Sequence, residues 1–193
     1  KNTSPVLCLG PCEASVGEMA SAYTTFANGG IRCAPLFVTK IEDSHGNVIA
    51  KFQPLMTEVI SEVSSYQMID MLRAVIQGGT GSRLRYAYHL TADMGGKTGT
   101  TNNNADGWFM GITPNLVSGC WVGGEDRDIH FDHTSMGQGA TMALPVWAYY
   151  MQRVYADKRL GYSQSTKFTM PAKFNPCQTA DTINVNGIQE EYF

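Results

Sequence analysis

The sequence predicts one domain of the α/β class, of the α+β type, in which helices flank an antiparallel β-sheet. Two apolar segments, 105–112 and 116–123, are joined by the turn-forming residues Thr113, Pro114 and Asn115, which is typical of an antiparallel strand pair. Three other segments carry capping residues or apolar residues at helical spacing. With 193 residues, of which 43% are hydrophobic, the chain is long enough to bury one sizeable core.

The first predicted elements are a helix and a hairpin. The helix spans about residues 15–28, because Ser15 and Glu18 have the spacing of a capping box and a glycine pair follows. Apolar and β-branched residues at 35–42 and 48–53 surround the sequence Ser-His-Gly-Asn, which predicts a β-hairpin. We expect this hairpin to belong to the main sheet or its rim.

Two longer helices and a tail complete the predicted architecture. The second helix begins at Ser61, ends at a glycine pair and is expected to pack against the sheet. The third spans about residues 141–156 and has a wide apolar face. That face comprises Leu144, Val146, Trp147, Tyr150, Met151 and Val154. Residues 1–157 are expected to form the folded portion, and residues 158–193 a draped or disordered tail.

Composition argues against several classes of function. A net charge of −3 and a pI of about 5.8, without a run of Lys and Arg, predict no binding to nucleic acid. The sequence contains neither a basic-then-apolar leader nor an apolar run of ~18 residues. The five cysteines are an odd number without Cys-x-x-Cys spacing, which argues against a complete disulfide framework and a zinc ribbon. Whether Cys8 and Cys12 pair remains open.

The most informative segment is Lys97-Thr98-Gly99-Thr100-Thr101, and it is expected on an edge strand. Lys97 supplies a positive charge that attracts an anion. Thr98 and Thr100 have the same parity on a strand, so their hydroxyls suit the two oxygens of one carboxylate. Gly99 allows a substrate backbone to dock closely, and the Thr100 N–H is a candidate donor to an oxyanion. The predicted catalytic residues are Lys97 and Thr100, and the predicted substrate-binding residues are Thr98, Gly99, Thr100 and Thr101.

Five segments of the chain together carry a resemblance to a known family. They are Glu18-Met-Ala-Ser-Ala-Tyr-Thr-Thr-Phe-Ala-Asn-Gly-Gly30, Gly79-Thr-Gly-Ser-Arg83, Gly96-Lys-Thr-Gly-Thr-Thr-Asn102, Asp106-Gly-Trp-Phe109 and Trp121-Val-Gly123. In this order they resemble the transpeptidase domain of bifunctional, class A penicillin-binding proteins, and Lys-Thr-Gly is a signature of these proteins and of serine β-lactamases. The resemblance extends from about residue 15 to about residue 151.

The resemblance implies a partial serine β-lactamase/penicillin-binding transpeptidase fold and a role in peptidoglycan cross-linking. In such a domain a serine attacks a D-alanyl-D-alanine stem peptide, forms an acyl-enzyme and passes the acyl group to an amine of a second strand. Lys97 would lie beside that serine, and Thr98 and Thr100 would hold the terminal carboxylate, which β-lactams mimic. The resemblance also implies a periplasmic, extracytoplasmic location and a parent protein with a glycosyltransferase domain and an inner-membrane anchor outside this chain. No metal or other cofactor is expected.

The chain departs from the family pattern in one respect. No Ser or Thr is followed three residues later by Lys, and no Ser-x-Asn tripeptide is present. Both motifs precede the Glu-Met-Ala-Ser helix in the family, so we expect them before Lys1. The chain is therefore expected to be the C-terminal part of the domain, to need the missing N-terminal half as a partner and to be inactive alone. The surface that the missing half would bury is expected to be apolar, which predicts self-association or disorder around Lys97.

Two other functions remain open. One is a non-catalytic module that binds stem peptides, and the other is a D,D-carboxypeptidase, which shares the Lys-Thr-Gly strand. A phosphate-binding P-loop is disfavoured, because Thr91 stands where its first glycine belongs and the residues after Thr98 do not favour a helix.

Several other polar and aromatic residues are weighed against a structural role. Asp106 is expected to end a loop by accepting backbone hydrogen bonds, with no catalytic role. The run Asn102-Asn103-Asn104 suits either a cleft wall or a surface turn. His130 and His133 are expected on a solvated loop, because no third metal ligand lies at a suitable spacing. Three aromatic residues of the strand pair are expected in the core: Trp108, Phe109 and Trp121.

Overall fold

A computed structural model describes residues 13–175. The helices are α1 (Val16–Ala27), α2 (Glu62–Gln77), α3 (Arg83–Tyr86), α4 (Thr134–Gly137) and α5 (Ala143–Ala156). The strands are β1 (Ile31–Cys33), β2 (Lys40–Glu42), β3 (Val48–Lys51), β4 (Met56–Glu58), β5 (Gly95–Thr100), β6 (Asp106–Thr113) and β7 (Leu116–Gly123). Short 3₁₀ helices form at Asn102–Asn104 and Lys158–Leu160. Cys8 and Cys12 lie outside the described residues, within which no helix is both long and apolar enough to cross a membrane.

The predicted starts of α1 and α2 are confirmed. The Glu18 N–H donates to Ser15 Oγ (3.2 Å) and the Ser15 N–H donates to a Glu18 carboxylate oxygen (2.8 Å), which completes the capping box. These hydrogen bonds lower the pKa of Glu18 below its ordinary value. At α2 the Ser64 N–H donates to Ser61 Oγ (3.1 Å). Both helices therefore begin where a side chain satisfies a backbone donor.

The main sheet has three antiparallel strands in the order β5-β6-β7. A tight turn at Pro114 and Asn115 joins β6 to β7, as predicted. Within the described residues β5 pairs only with β6, so the strand that carries Lys97 lies at an edge of the sheet. Thr98 lies opposite Phe109, so the side chains of these two residues lie on the same face of the sheet.

Helices cover both faces of the main sheet. On one face α5 packs against β6, where the rings of Trp147 and Phe109 lie with their centroids 5.0 Å apart. On the other face, Ile112 of β6 packs in one cluster with Tyr66 and Leu72 of α2. The predicted packing of α2 against the sheet is therefore confirmed, and the predicted α+β architecture is observed.

The buried face of α5 is narrower than predicted. Leu144, Trp147 and Met151 are buried, whereas Val146 and Tyr150 are 52% and 46% exposed. The buried residues recur three or four positions apart and form one stripe that faces the sheet, and the two exposed residues lie outside that stripe. Their inclusion in the predicted face was wrong, because an apolar residue is not by itself a sign of burial.

The predicted hairpin forms, but its place in the fold differs from the expectation. β2 and β3 pair in a separate two-stranded sheet, closed by the Asp43 carboxylate, which accepts the N–H groups of His45 and Asn47 (both 2.8 Å). A second small sheet pairs β1 with β4, and in the described part of the chain neither is hydrogen-bonded to the main sheet. Of the two expected places, the main sheet is wrong, because local turn signals do not identify a strand's partners; a place at the rim of the sheet stays a prediction.

The segment 158–175 lies against the core. Gln164 Oε1 accepts the N–H of Thr91 (2.7 Å) and of Ala92 (3.2 Å), just before β5. Phe168 is buried in the same cluster as α2, and the ring of Phe174 stands edge-on to a tyrosine of that helix. These contacts join residues 158–175 to the rest of the described chain. The division of the chain at residue 157 stays a prediction.

Candidate active site

The site residues predicted from the sequence lie together on β5. Lys97 and Thr100 are exposed, whereas Thr98 and Gly99 are partly buried. Lys97 Nζ donates to the carbonyl of Thr98 (2.7 Å), so the ammonium group lies over its own strand. β5 can lie this close to its neighbours because it begins with glycines: a Cβ on Gly96 would lie 2.6 Å from the ring of Phe109.

The two threonine hydroxyls project from the same face of the sheet, as predicted. Thr98 and Thr100 lie opposite Phe109 and Gly107, and directly opposite residues of antiparallel strands share a face. Lys97 has the other parity, so its side chain leaves the strand on the opposite face. The cation and the two hydroxyls therefore leave β5, an edge strand among the described residues, on opposite faces.

Each hydroxyl is held by a group from another part of the chain. Thr98 Oγ1 lies 2.7 Å from Thr80 Oγ1, on the loop between α2 and α3. Thr100 Oγ1 accepts the N–H of Gly139, which lies before α5 (3.0 Å). The sequence analysis did not assign a role to Thr80 or Gly139. For Thr80 a signal was present, because it lies between two glycines in the Gly-Thr-Gly-Ser-Arg segment.

Thr101 has a different role from its neighbours in this structure. Its Oγ1 accepts the Asp106 N–H (3.0 Å), and its own N–H donates to the Asp106 carbonyl (3.2 Å). These bonds close the loop between β5 and β6. The hydroxyl of Thr101 thus bonds the backbone of its own loop, whereas the hydroxyls of Thr98 and Thr100 bond groups from distant parts of the chain.

A cavity of about 390 Å³ lies beside the strand. Its lining consists of Ala14, Met19, Tyr23, Lys97, Thr98, Gly99, Thr100, Thr101, Trp108 and Met110. A second cavity of about 440 Å³ adjoins it, with Ala14, Thr101 and Trp108 in both walls. The predicted site residues thus face an open space that a ligand can enter, lined by apolar side chains and a few convergent polar groups.

Two other polar candidates take structural positions. The 3₁₀ helix Asn102–Asn104 is a surface turn: Asn103 and Asn104 have φ of 61° and 55°, and Asn104 Nδ2 donates to the carbonyl of Phe131 (3.2 Å). Asp106 opens β6, but its carboxylate Oδ1 is buried without a hydrogen-bond partner among the described residues. The expectation that this carboxylate accepts backbone hydrogen bonds is wrong, because Thr101 closes the loop instead.

The histidine and aromatic candidates divide between the surface and the core. His130 and His133 are exposed, and residues 13–175 contain no group of three His, Cys, Asp or Glu side chains that could hold a metal ion. Phe109 is fully buried, as expected, whereas Trp108 is half-buried and Trp121 is 41% exposed. The prediction of a core position was wrong for Trp121, because its face of the sheet is open where Trp108 lines the cavities.

Three strongly exposed apolar side chains lie outside the site, although Trp121, which is 41% exposed, lines the adjoining cavity. The exposed side chains of β5 are Lys97 and Thr100, which are polar. Phe37, Ile49 and Leu55 are 94%, 67% and 72% exposed and belong to the region of the two small sheets. The exposed side chains of β5 are thus not apolar, and whether the surface that the missing half would bury is apolar stays a prediction.

Comparisons with known proteins identify the family of the chain. The family model of the penicillin binding protein transpeptidase domain matches residues 7–118. Penicillin-binding protein 1A of Aquifex aeolicus is 38% identical over 148 residues, which are 77% of this chain and 20% of that protein. The chain thus spans about a fifth of the length of the relatives that it matches.

Solved structures match over most of the chain. The crystal structure of penicillin-binding protein 1A from Haemophilus influenzae superposes with a TM-score of 0.74 at 26% identity, covering 89% of this chain and 30% of that one. The PonA1 protein from Mycobacterium tuberculosis in complex with penicillin V superposes with a TM-score of 0.66 at 23% identity, covering 87% and 43%. This second match concerns the fold alone.

Proposed function

The chain belongs to the penicillin-binding protein transpeptidase family, and from this premise we propose that β5 is the substrate-binding strand of a peptidoglycan D,D-transpeptidase. The observation that carries the proposal is the arrangement at the edge of the sheet. Lys97, Thr98 and Thr100 lie there beside an open cavity. A cation and two hydroxyls beside a free strand edge suit a peptide that docks as an added strand and ends in a carboxylate.

The proposed reaction has two acyl transfers. A serine hydroxyl attacks the carbonyl of the penultimate D-alanine of a stem peptide, and the terminal D-alanine leaves as the acyl-enzyme forms. An amine of a second stem peptide then attacks the ester, which forms the cross-link and frees the serine. Lys97 attracts the substrate and biases nearby proton equilibria, and Thr98 and Thr100 hold the terminal carboxylate. The Thr100 N–H donates to the oxyanion.

The nucleophile is proposed to lie on another part of the parent protein. None of the 193 residues forms a Ser-x-x-Lys or Thr-x-x-Lys motif, and no Ser-x-Asn tripeptide is present. The chain would then contribute the binding strand but not the nucleophilic serine, and it would be inactive alone. The parent is proposed to be an extracytoplasmic enzyme with its membrane anchor and a glycosyltransferase domain outside these residues.

β-Lactams are the proposed inhibitors, because their carboxylate mimics that of the terminal D-alanine. The structure of PonA1 with penicillin V supports this assignment for a protein of the same fold. The strand would then bind penicillins weakly and without a covalent bond, since the acylated serine supplies most of the affinity.

Intact-mass spectrometry with benzylpenicillin tests the proposal. The chain is incubated alone, and after mixing with a separately produced N-terminal half that carries the Ser-x-x-Lys and Ser-x-Asn motifs. We expect an adduct only in the mixture, on the half with the serine, and a much smaller one when the chain carries Lys97→Ala. An adduct on the chain alone would show that the nucleophile lies within these 193 residues, contrary to the proposal. No adduct from a mixture that forms a stable complex would favour a non-catalytic stem-peptide module.

The same mixture distinguishes transpeptidation from carboxypeptidation. A pentapeptide stem substrate that releases D-alanine only when an amine acceptor is present, with a cross-linked product of the expected mass, indicates a transpeptidase. Release of D-alanine to water without a cross-linked product indicates a D,D-carboxypeptidase.

A further inference from the structure

Thr80 lies outside the Lys-Thr-Gly-Thr segment but contacts it through a hydroxyl group. Its Oγ1 is 2.7 Å from Thr98 Oγ1, although the two residues are 18 positions apart. Thr80 is exposed at the end of α2, so a ligand can approach this pair from solvent. The contact joins the loop between α2 and α3 to the proposed carboxylate site.

The backbone around Thr80 holds the loop close to α2. A Cβ on Gly79 would lie 2.9 Å from the Cα of Val75, and a Cβ on Gly81 would lie 2.6 Å from Ile76 Cδ1. The Gly81 N–H also donates to the carbonyl of Val75 (3.0 Å). Glycines on both sides of Thr80 therefore permit a close approach to the helix, which places the hydroxyl beside β5.

The hydrogen-bond capacity of a hydroxyl decides what this contact can do. A threonine hydroxyl has one hydrogen to donate and two lone pairs that accept. Thr100 accepts from the Gly139 N–H (3.0 Å), so its own hydrogen is left for a ligand. In the pair of Thr80 and Thr98, one hydroxyl donates to the other. If Thr80 is the donor, the hydrogen of Thr98 is also left for a ligand.

A bound carboxylate favours that direction. An anion beside Thr98 accepts the hydroxyl hydrogen of Thr98, and the Thr98 oxygen then accepts the hydrogen of Thr80. The negative charge strengthens both of these consecutive hydrogen bonds. The reverse direction would point a lone pair of Thr98 at the anion. Thr80 and the Gly139 N–H would thus have the same effect on two different hydroxyls.

We propose that Thr80 is a positioning residue, which orients the Thr98 hydroxyl as a donor to the substrate carboxylate. This inference rests on the proposed function of β5 and adds a residue that acts through Thr98. It also assigns a physical role to the Gly-Thr-Gly segment: the glycines allow the approach, and the threonine supplies the donor.

An NMR titration of the full chain tests this role, with benzylpenicillin as the probe and its methyl ester as the control without a carboxylate. The variants are Thr80→Val, Thr80→Ser, Thr98→Val and the double Thr80→Val/Thr98→Val. We expect Thr80→Val to weaken benzylpenicillin binding by about 5-fold, in keeping with one hydrogen bond, and Thr80→Ser to restore it within about 2-fold. The double variant should bind no more weakly than Thr98→Val, and Thr80→Val should not change binding of the ester.

A second measurement on the same samples does not depend on the ligand. Three-bond couplings to the Thr98 methyl group report its χ1 rotamer, which should be single in the wild type and in Thr80→Ser but averaged in Thr80→Val.

The outcomes separate this inference from the proposed function. If Thr98→Val weakens binding and Thr80→Val changes neither binding nor the rotamer, Thr80 has no positioning role, while the function of β5 stands. Additive losses in the double variant would mean that Thr80 acts independently of Thr98, which also contradicts the inference. If the wild type binds neither probe, or if Thr98→Val leaves binding unchanged, β5 is not a carboxylate site and the proposed function fails with it.

Discussion

Glycines at two positions of β5 meet different neighbours. A Cβ on Gly96 would lie 2.6 Å from the Phe109 ring and 2.8 Å from the Met110 carbonyl, both of which are fixed by the core. A Cβ on Gly99 would lie 3.1 Å from the Cβ of Trp108, a tighter contact than usual but one that a small shift relieves. Gly96 thus serves the packing of the strand, and Gly99 leaves its outer surface bare for a ligand.

Gly96→Ala should be the more damaging of two matched substitutions. We expect Gly96→Ala to lower the free energy of unfolding by about 1–3 kcal/mol, as overpacking does, and Gly99→Ala to lower it by less than about 1 kcal/mol. Gly99→Ala should instead weaken benzylpenicillin binding. Urea unfolding and the NMR titration measure the two effects. Equal losses of stability would contradict the distinction between the two glycines.

An ion pair fixes the chain just before β5. Arg73 Nε donates to Asp93 Oδ1 (2.8 Å), and Arg73 Nη1 donates to the hydroxyl of Tyr66 (3.0 Å). The Phe168 N–H donates to Asp93 Oδ2 (3.0 Å), so one carboxylate joins α2, the start of β5 and the C-terminal segment. Burial acts to raise the pKa of Asp93, but the hydrogen bonds from Arg73 and Phe168 outweigh it and leave this pKa below its ordinary value.

The lowered pKa of Asp93 predicts a pH dependence of stability. Because its pKa is lower in the folded chain than in the unfolded chain, its contribution is complete above the unfolded value. This contribution to the free energy of unfolding is lost as the pH falls below about 4, the pKa of an unfolded-chain Asp, and on through the lower pKa of Asp93 in the folded chain. Asp93→Asn should cost about 1–3 kcal/mol at pH 7, less than breaking a fully buried pair, and the difference from wild type should shrink in acid.

Asp70 provides the matched control for this experiment. Its carboxylate lies 3.8 Å from Arg73, but the side chain is 57% exposed, whereas that of Asp93 is 11% exposed. Asp70→Asn should change stability by less than about 0.5 kcal/mol. Thermal unfolding between pH 3 and pH 7 compares the three proteins. A cost for Asp93→Asn that does not vary with pH would contradict the assigned role.

Elements with local signals were predicted correctly, and elements that depend on distant partners were not. The capping residues Ser15 and Ser61 and the turn at Pro114 act on their own neighbours, so a single sequence contains all the information. The hairpin of β2 and β3 was predicted for the same reason, but its separation from the main sheet depends on which strands it meets. The exposure of Trp121 likewise depends on what covers that face of the sheet.

The position of the C-terminal segment also depends on tertiary packing, because its local pattern predicts neither a helix nor a strand. Residues 158–175 have few apolar residues, yet Phe168 packs into the cluster of Tyr66 and Leu72 at 9% exposure. Phe168→Ala should therefore destabilise the domain by about 3 kcal/mol. Phe37→Ala is the matched control, because Phe37 is 94% exposed and should change stability by less than about 0.5 kcal/mol. Similar effects of both changes in urea unfolding would show that the segment is not packed in solution.

At the scale of the molecule, the candidate site is assembled from segments that are distant in sequence. The placement of Lys97, Thr98 and Thr100 on one strand, with both hydroxyls on one face, followed from local pattern and parity. Thr80 and Gly139 reach these threonines across 18 and 39 positions, and no periodicity in the sequence connects them. Residues of a single strand can therefore be predicted from sequence, whereas the groups that orient them require the fold.

The region of the two small sheets carries exposed apolar side chains, which predict self-association. Phe37, Ile49 and Leu55 are 94%, 67% and 72% exposed, and the strand pairs β1-β4 and β2-β3 are too small to bury an apolar face by themselves. Such a patch favours association when it is left bare. We therefore expect the chain to self-associate with rising concentration through this region and not through β5.

Sedimentation velocity over a range of concentrations tests this prediction. The double variant Phe37→Ser/Leu55→Ser should sediment as a monomer at concentrations where the wild type forms larger species, with little change in unfolding temperature because both side chains are exposed. Lys97→Ala should associate as the wild type does, since the exposed side chains of β5 are polar. The opposite result, in which Lys97→Ala abolishes association and Phe37→Ser/Leu55→Ser does not, would identify the edge of β5 as the contact surface. The unpaired backbone groups of that edge would then contribute more to association than the apolar patch does.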